Sequence, residues 1–145
     1  MRLPLQELEL MPSSEAEQLI LQMVEAVPGL RPLYEAHISI NDELLAHVFM
    51  GDVSRFVISG FQDTWESEPY DPPLGEVGEV FGILEIAFAK GHPYVTELIS
   101  VSFLENIYFD SLDWKKESRE RIRSSLGPSL LEEFEKIEEF FESCI

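Results

Sequence analysis

The chain has 145 residues, 45% of them hydrophobic and 11% aromatic, which is enough to bury a core in one domain and too apolar for a disordered segment. Ten Lys and Arg stand against 28 Asp and Glu, for a formal net charge of −18. That balance argues against nucleic acid and anionic lipid as partners, because both need clustered basic side chains.

An acidic surface attracts basic proteins and speeds their association, although the same charge also serves solubility alone. Cys144 is the single cysteine, so no internal disulfide is available and a reducing compartment fits. The opening MRLPLQELELMPSS is interrupted by polar residues and is no signal peptide, and no run reaches transmembrane length. A cytoplasmic, bacterial protein with no membrane role is expected.

Residues 1–12 lack clean periodicity and are expected as an irregular arm. Ser14 and Glu17 make a capping-box pattern. Behind it Ala16, Leu19, Ile20, Met23, Val24 and Val27 recur at helical spacing until Pro28-Gly29 stops the helix. Arg31 to His37 predicts a short second helix with Pro32 in its first turn. Ile38-Ser39-Ile40 reads as an extended connector. Asn41 or Asp42 is expected to cap a third helix running to about Ser59.

Residues 62–74 form a long acidic, Pro-rich loop. It carries Asp63, Trp65, Glu66, Glu68, Tyr70 and Asp71, with Glu76 just beyond. Long loops with aromatics often bind partners, so these seven residues are candidate partner contacts. The alternative is that Trp65 folds back over the core. Gly75 to Lys90 predicts an amphipathic helix in which Gly78 and Gly82 call for a closely packed neighbour. Gly91 and Pro93 end it.

Val95 to Tyr108 (VTELISVSFLENIY) is apolar on every side when rolled into a helix. Such a helix belongs in the middle of a bundle. Lys115 to Ser125 holds half of the basic residues and is expected to pair with the acidic C-terminal helix. That last helix follows Leu126-Gly127-Pro128. Its inner stripe is Leu130, Leu131, Phe134, Ile137, Phe141 and Cys144, and six glutamates line its outer face. No segment supports a sheet. The expected architecture is a single all-α domain, residues 1–145, of about six helices around a buried central helix at 95–108.

No glycine-rich phosphate loop, metal-ligand spacing or nucleophile elbow is present. Neither a cofactor nor a metal is expected, since nothing in the spacing of His37, His47 and His92 asks for one. Two polar groups stand out. His47, Gly51, Asp52, Ser54 and Arg55 lie on adjacent turns, with Asp52 and Arg55 spaced to pair. They make either a contact patch or a helix packed closely through Gly51. Glu105 and Asn106 sit among apolar residues, where a carboxylate is costly unless paired. Arg55 or His47 is the available partner, and an unpaired Glu105 would have a raised pKa.

H-V-F-M-G-D-V-x-R at His47 to Arg55, V-x-E-L-I-x-V-S-F-L-E-N-I at Val95 to Ile107 and L-G-P-x-L at Leu126 to Leu130 together resemble a family of small, acidic, all-helical bacterial proteins of unknown function. Some of its members are regarded as immunity proteins of polymorphic toxin systems. The resemblance implies a non-enzymatic protein that binds and neutralises a basic toxin domain. It brings no catalytic residues with it. Two other readings stand beside it: an enzyme using His47, Asp52 and Glu105 as acid–base groups, and a structural or regulatory module that dimerises through an apolar face. The oligomeric state is not encoded in any pattern here.

Overall fold

A computed structural model describes residues 14–62 and 75–143. The expectations for the 1–12 arm, the 63–74 stretch and Cys144 lie outside the described residues. All elements among the described residues are helical. They are α1 (Ser14–Ala26), a 3-10 turn (Pro28–Leu30), α2 (Arg31–Asn41), α3 (Ala46–Gln62), α4 (Glu76–Ala89), α5 (Pro93–Ile99), a π segment (Ser100–Leu104), α6 (Glu105–Ser111), α7 (Lys116–Ser125) and α8 (Pro128–Glu142). The run from α5 through the π segment to α6 is one continuous rod, because Ile99, Ser100, Leu104 and Glu105 all keep right-handed helical dihedrals.

That rod is the central element foreseen for 95–108, and it is longer at both ends. It packs against α1, α3, α4 and α8. Leu98, Ile99, Phe103, Leu104 and Ile107 are essentially sealed from solvent, as are Phe49, Met50 and Val53 of α3 and Leu84 of α4. Burying side chains of this size is worth about 1.5–3 kcal/mol each, which is why this rod organises the others. One side of it is nonetheless open. Val101 and Phe109 are about half exposed, so the helix is not wrapped on every face.

Several boundaries differ from the sequence reading. Ile38-Ser39-Ile40 is helical, not extended, and belongs to α2. α2 ends where Asp42 takes a left-handed conformation, φ 63°, which a short acidic side chain tolerates. Asn41 and Asp42 therefore terminate α2 and do not cap α3. Asn41 Nδ2 donates to the His37 carbonyl at 2.9 Å. The turn into α3 is closed by buried His37, whose Nε2 accepts the Leu45 amide at 2.9 Å. α3 continues through Gly60 and buried Phe61 to Gln62.

The glycines also act differently from expectation. A Cβ on Gly82 would meet nothing within 4 Å, so no neighbour packs close there. Tight places lie elsewhere, among them Gly60, where a Cβ would stand 2.5 Å from Val77 Cγ2. Gly127 precedes α8 at an ordinary φ of −70°. What it supplies is room, since a Cβ there would come within 2.6 Å of the Glu85 carboxylate.

Two glutamates of α4 use such room to pin distant elements. Glu76 Oε1 accepts the Gly29 amide at 2.9 Å. The two carboxylate oxygens of Glu85 accept the Ser129 and Leu130 amides at 2.9 and 3.0 Å. These are first-turn amides of α8, which its own helix leaves unbonded.

Candidate functional site

The polar residues foreseen on α3 and the central helix meet along one seam. His47, Gly51 and Arg55 are four apart, so they form one row on α3. Facing them is the π segment. Its signature is the Glu105 amide bonded to the Ser100 carbonyl, five residues back. Within it the Ser102 carbonyl accepts from Asn106 Nδ2 at 2.8 Å. The Ser102 hydroxyl is buried and lies 2.5 Å from His47 Nδ1. A Cβ on Gly51 would be 3.6 Å from Asn106 Nδ2 and 3.8 Å from Arg55 Nη1. Gly51 thus forms a shelf for two side chains, not a point of close backbone approach.

Asp52 and Arg55 form the foreseen ion pair. Glu105 pairs with neither Arg55 nor His47. Among the described residues neither Asp52 nor Glu105 hydrogen-bonds His47, whose contact is with Ser102. The three acid–base candidates are therefore not joined to one another by hydrogen bonds. Ser102 was missing from the sequence reading. Its signal was a hydroxyl inside an otherwise apolar stretch, which a buried site must satisfy.

A second polar feature runs along the other side of the rod. Glu133 of α8 accepts a hydrogen bond from Ser100 Oγ at 2.7 Å. Burial first, and the neighbouring Glu133 charge second, hold the Glu105 carboxyl above its ordinary range. Among the described residues no cation opposes either effect. Further along α8, burial raises the Glu138 carboxyl, against the pull of Arg123, which sits 3.7 Å away. Burial raises the Tyr108 phenol as well, helped by Glu142 and Glu138 and opposed by Arg119. The basic helix α7 thus leans on acidic α8 as expected.

Next to these acids lies an aromatic cluster. The Phe109 and Phe141 rings are 4.8 Å apart, Phe140 and Phe141 5.1 Å, and Tyr108 stacks on Phe141 at 5.6 Å.

Of the loop candidates, Asp63, Trp65, Glu66, Glu68, Tyr70 and Asp71 lie outside the described residues. Glu76 is exposed and bonds the Gly29 amide. No group of three or more His, Cys, Asp or Glu among the described residues is placed to hold a metal ion. No helix among them is long and apolar enough to cross a membrane.

The chain belongs to the family described as a domain of unknown function, DUF7674, which it matches over residues 20–142. No curated protein and no solved structure matches it. The matched region includes both polar features and all of the rod.

Proposed function

We propose that this protein is a non-enzymatic binding protein of the immunity type, which neutralises a basic bacterial toxin domain through its acidic surface. The observation that supports the reading best is charge left without a counter-charge beside the aromatic cluster. Burial, and after it the charge of Glu133, raises the Glu105 pKa, and among the described residues no ion pair is formed by either carboxylate. Glu132, Glu135, Glu139 and Glu142 are exposed along α8. Its one lysine, Lys136, already faces Glu132 at 3.7 Å. Like charges held together repel, and a basic partner removes that repulsion on docking while gaining on-rate from the field.

The test is a pulldown of the purified chain against a basic toxin domain encoded beside its gene, at low and high salt, with rescue of growth on co-expression. Binding that weakens as salt rises, together with rescue, supports the proposal. No binding at low salt overturns it.

A further inference from the structure

We infer that the docking face for such a partner is the exposed aromatic patch made by Phe109, Leu112, Phe140 and Phe141, with Glu105 and Glu133 as its cation-binding end. The inference rests on the proposal of a basic partner and adds where it sits and what it presents.

Phe109, Leu112 and Phe140 are 47%, 51% and 62% exposed. Leu112 follows Phe109 by three residues and shares its helix face. Phe141 bridges Phe109 to Phe140. Half-exposed aromatics that touch one another form a patch, whereas scattered ones need no explanation. Glu105 lies one turn before Phe109 on the same face, and Glu133 is near enough to raise its pKa. Asp113 lies one turn beyond Phe109 and is exposed. Neighbouring cations are occupied elsewhere: Arg55 pairs with Asp52, Lys136 faces Glu132, and Arg119 lies on the Tyr108 side with Glu138 and Glu142.

Charge selects the occupant. The stretches of chain outside the described residues, 1–13, 63–74 and 144–145, carry Glu7, Glu9, Asp63, Glu66, Glu68 and Asp71 against one Arg2. A second copy would bring the same acids to the same patch. A cationic segment with its own apolar side chains fits instead: aliphatic or aromatic anchors on the rings, and Arg or Lys against Glu105 and Glu133.

The probe is a helical peptide with leucine on one face and arginine on the other, titrated into the isotope-labelled chain at low salt. A peptide with glutamate in place of arginine is the control. Backbone resonances of Phe109, Leu112 and Phe140 are expected to shift with the arginine peptide and not with the control. F109A/F140A is expected to weaken binding about tenfold or more. E105Q/E133Q is expected to weaken it several-fold and to flatten the salt dependence.

Thermal melts keep misfolding apart from lost contact, since these side chains are largely outside the core. Binding that shifts other residues only, or that survives F109A/F140A, overturns this inference and leaves the basic-partner reading standing. Equal binding of the glutamate peptide, or concentration-dependent self-association lost in F109A/F140A, also overturns it. No binding of the arginine peptide or of the toxin domain overturns both.

Discussion

Glu85 sits on one helix and completes another, so its removal should cost far more than a surface glutamate usually does. Ser129 and Leu130 follow Pro128 in the first turn of α8, and their amides donate to the two oxygens of this one carboxylate. The residue before the helix, Gly127, has no side chain to cap with. Losing a helix cap costs about 1 kcal/mol, and losing a negative charge at a helix N-terminus about 0.3–1 kcal/mol more. E85A should therefore cost roughly 2 kcal/mol, or about 6 °C in Tm for a chain of this size. E85Q keeps one good acceptor but no charge and should lose about half of that.

The pH dependence is a second check on Glu85. Burial pushes this carboxyl up, but the Leu130 and Ser129 amides outweigh it and the net pKa falls below the ordinary 4.5. A depressed folded pKa means the contribution is complete above the ordinary value and is lost as pH falls through the folded one. In thermal melts wild type should thus exceed both variants at pH 7 and fall toward E85Q as pH drops below the ordinary 4.5 and through the folded pKa, while the gap between E85Q and E85A, neither of which titrates, stays constant. A wild-type to E85A gap under about 2 °C at pH 7, or one undiminished at pH 3, would refute the capping argument.

Two glycine substitutions should move stability in opposite directions. G82A adds a Cβ into open space in a helix interior and should raise stability by about 0.5–1 kcal/mol. G60A drives a Cβ into Val77 and should cost about 1–3 kcal/mol. V77A should recover much of that loss in a double-mutant cycle, and additivity of the two losses would count against the clash. For Glu105, burial and then Glu133 raise the folded pKa, so its charged form opposes folding at neutral pH. E105Q should melt higher than wild type at pH 7, with the advantage fading as pH drops below the ordinary glutamate value, where the carboxyl is protonated in both states. An E105Q Tm at or below wild type at pH 7 would show that Glu105 has a partner.

The helices were legible in the sequence because their apolar spacing is regular and Pro and Gly punctuate it. Pro93 and Pro128 do open helices, and Gly91 does take a positive φ of 75°. The Asp52–Arg55 pair was legible too, since spacing on one helix sets it. What was hidden depends on tertiary neighbours. Ile38-Ser39-Ile40 is β-branched and polar enough to read as extended, yet buried His37 anchors that turn and keeps it helical. Glu76 reads as a partner contact and Glu85 does not stand out, because nothing local says that amides 47, 44 and 45 residues away will need acceptors. The sequence around Gly127 marks a helix junction, but not that the glycine leaves space for one of those carboxylates.

The central rod shows the deepest reason why periodicity alone fell short. Fourteen residues separate Val95 from Phe109, close to four turns at 3.6 residues each, so an unbroken α-helix would bury both or expose both. Val95 is buried and Phe109 is half exposed. Two turns separate Val101 from Tyr108, and here the exposed residue comes first and the buried one second. A π turn takes in an extra residue and slips the phase; Ser100–Leu104 lies between Val95 and Phe109, and Val101 falls inside it. The rod therefore carries two apolar stripes out of register, and superposed on one helical wheel they look like a helix that is greasy all round. Inside the slipped turn the Ser102 carbonyl accepts from the Asn106 side-chain amide. The slip also turns Phe109 and Leu112 out of the core, beside Phe140 and Phe141. A plain α-helix would have placed Phe109 with the buried residues. A costly irregularity that exposes aromatics next to unpaired carboxylates fits selection for a surface more readily than selection for a core.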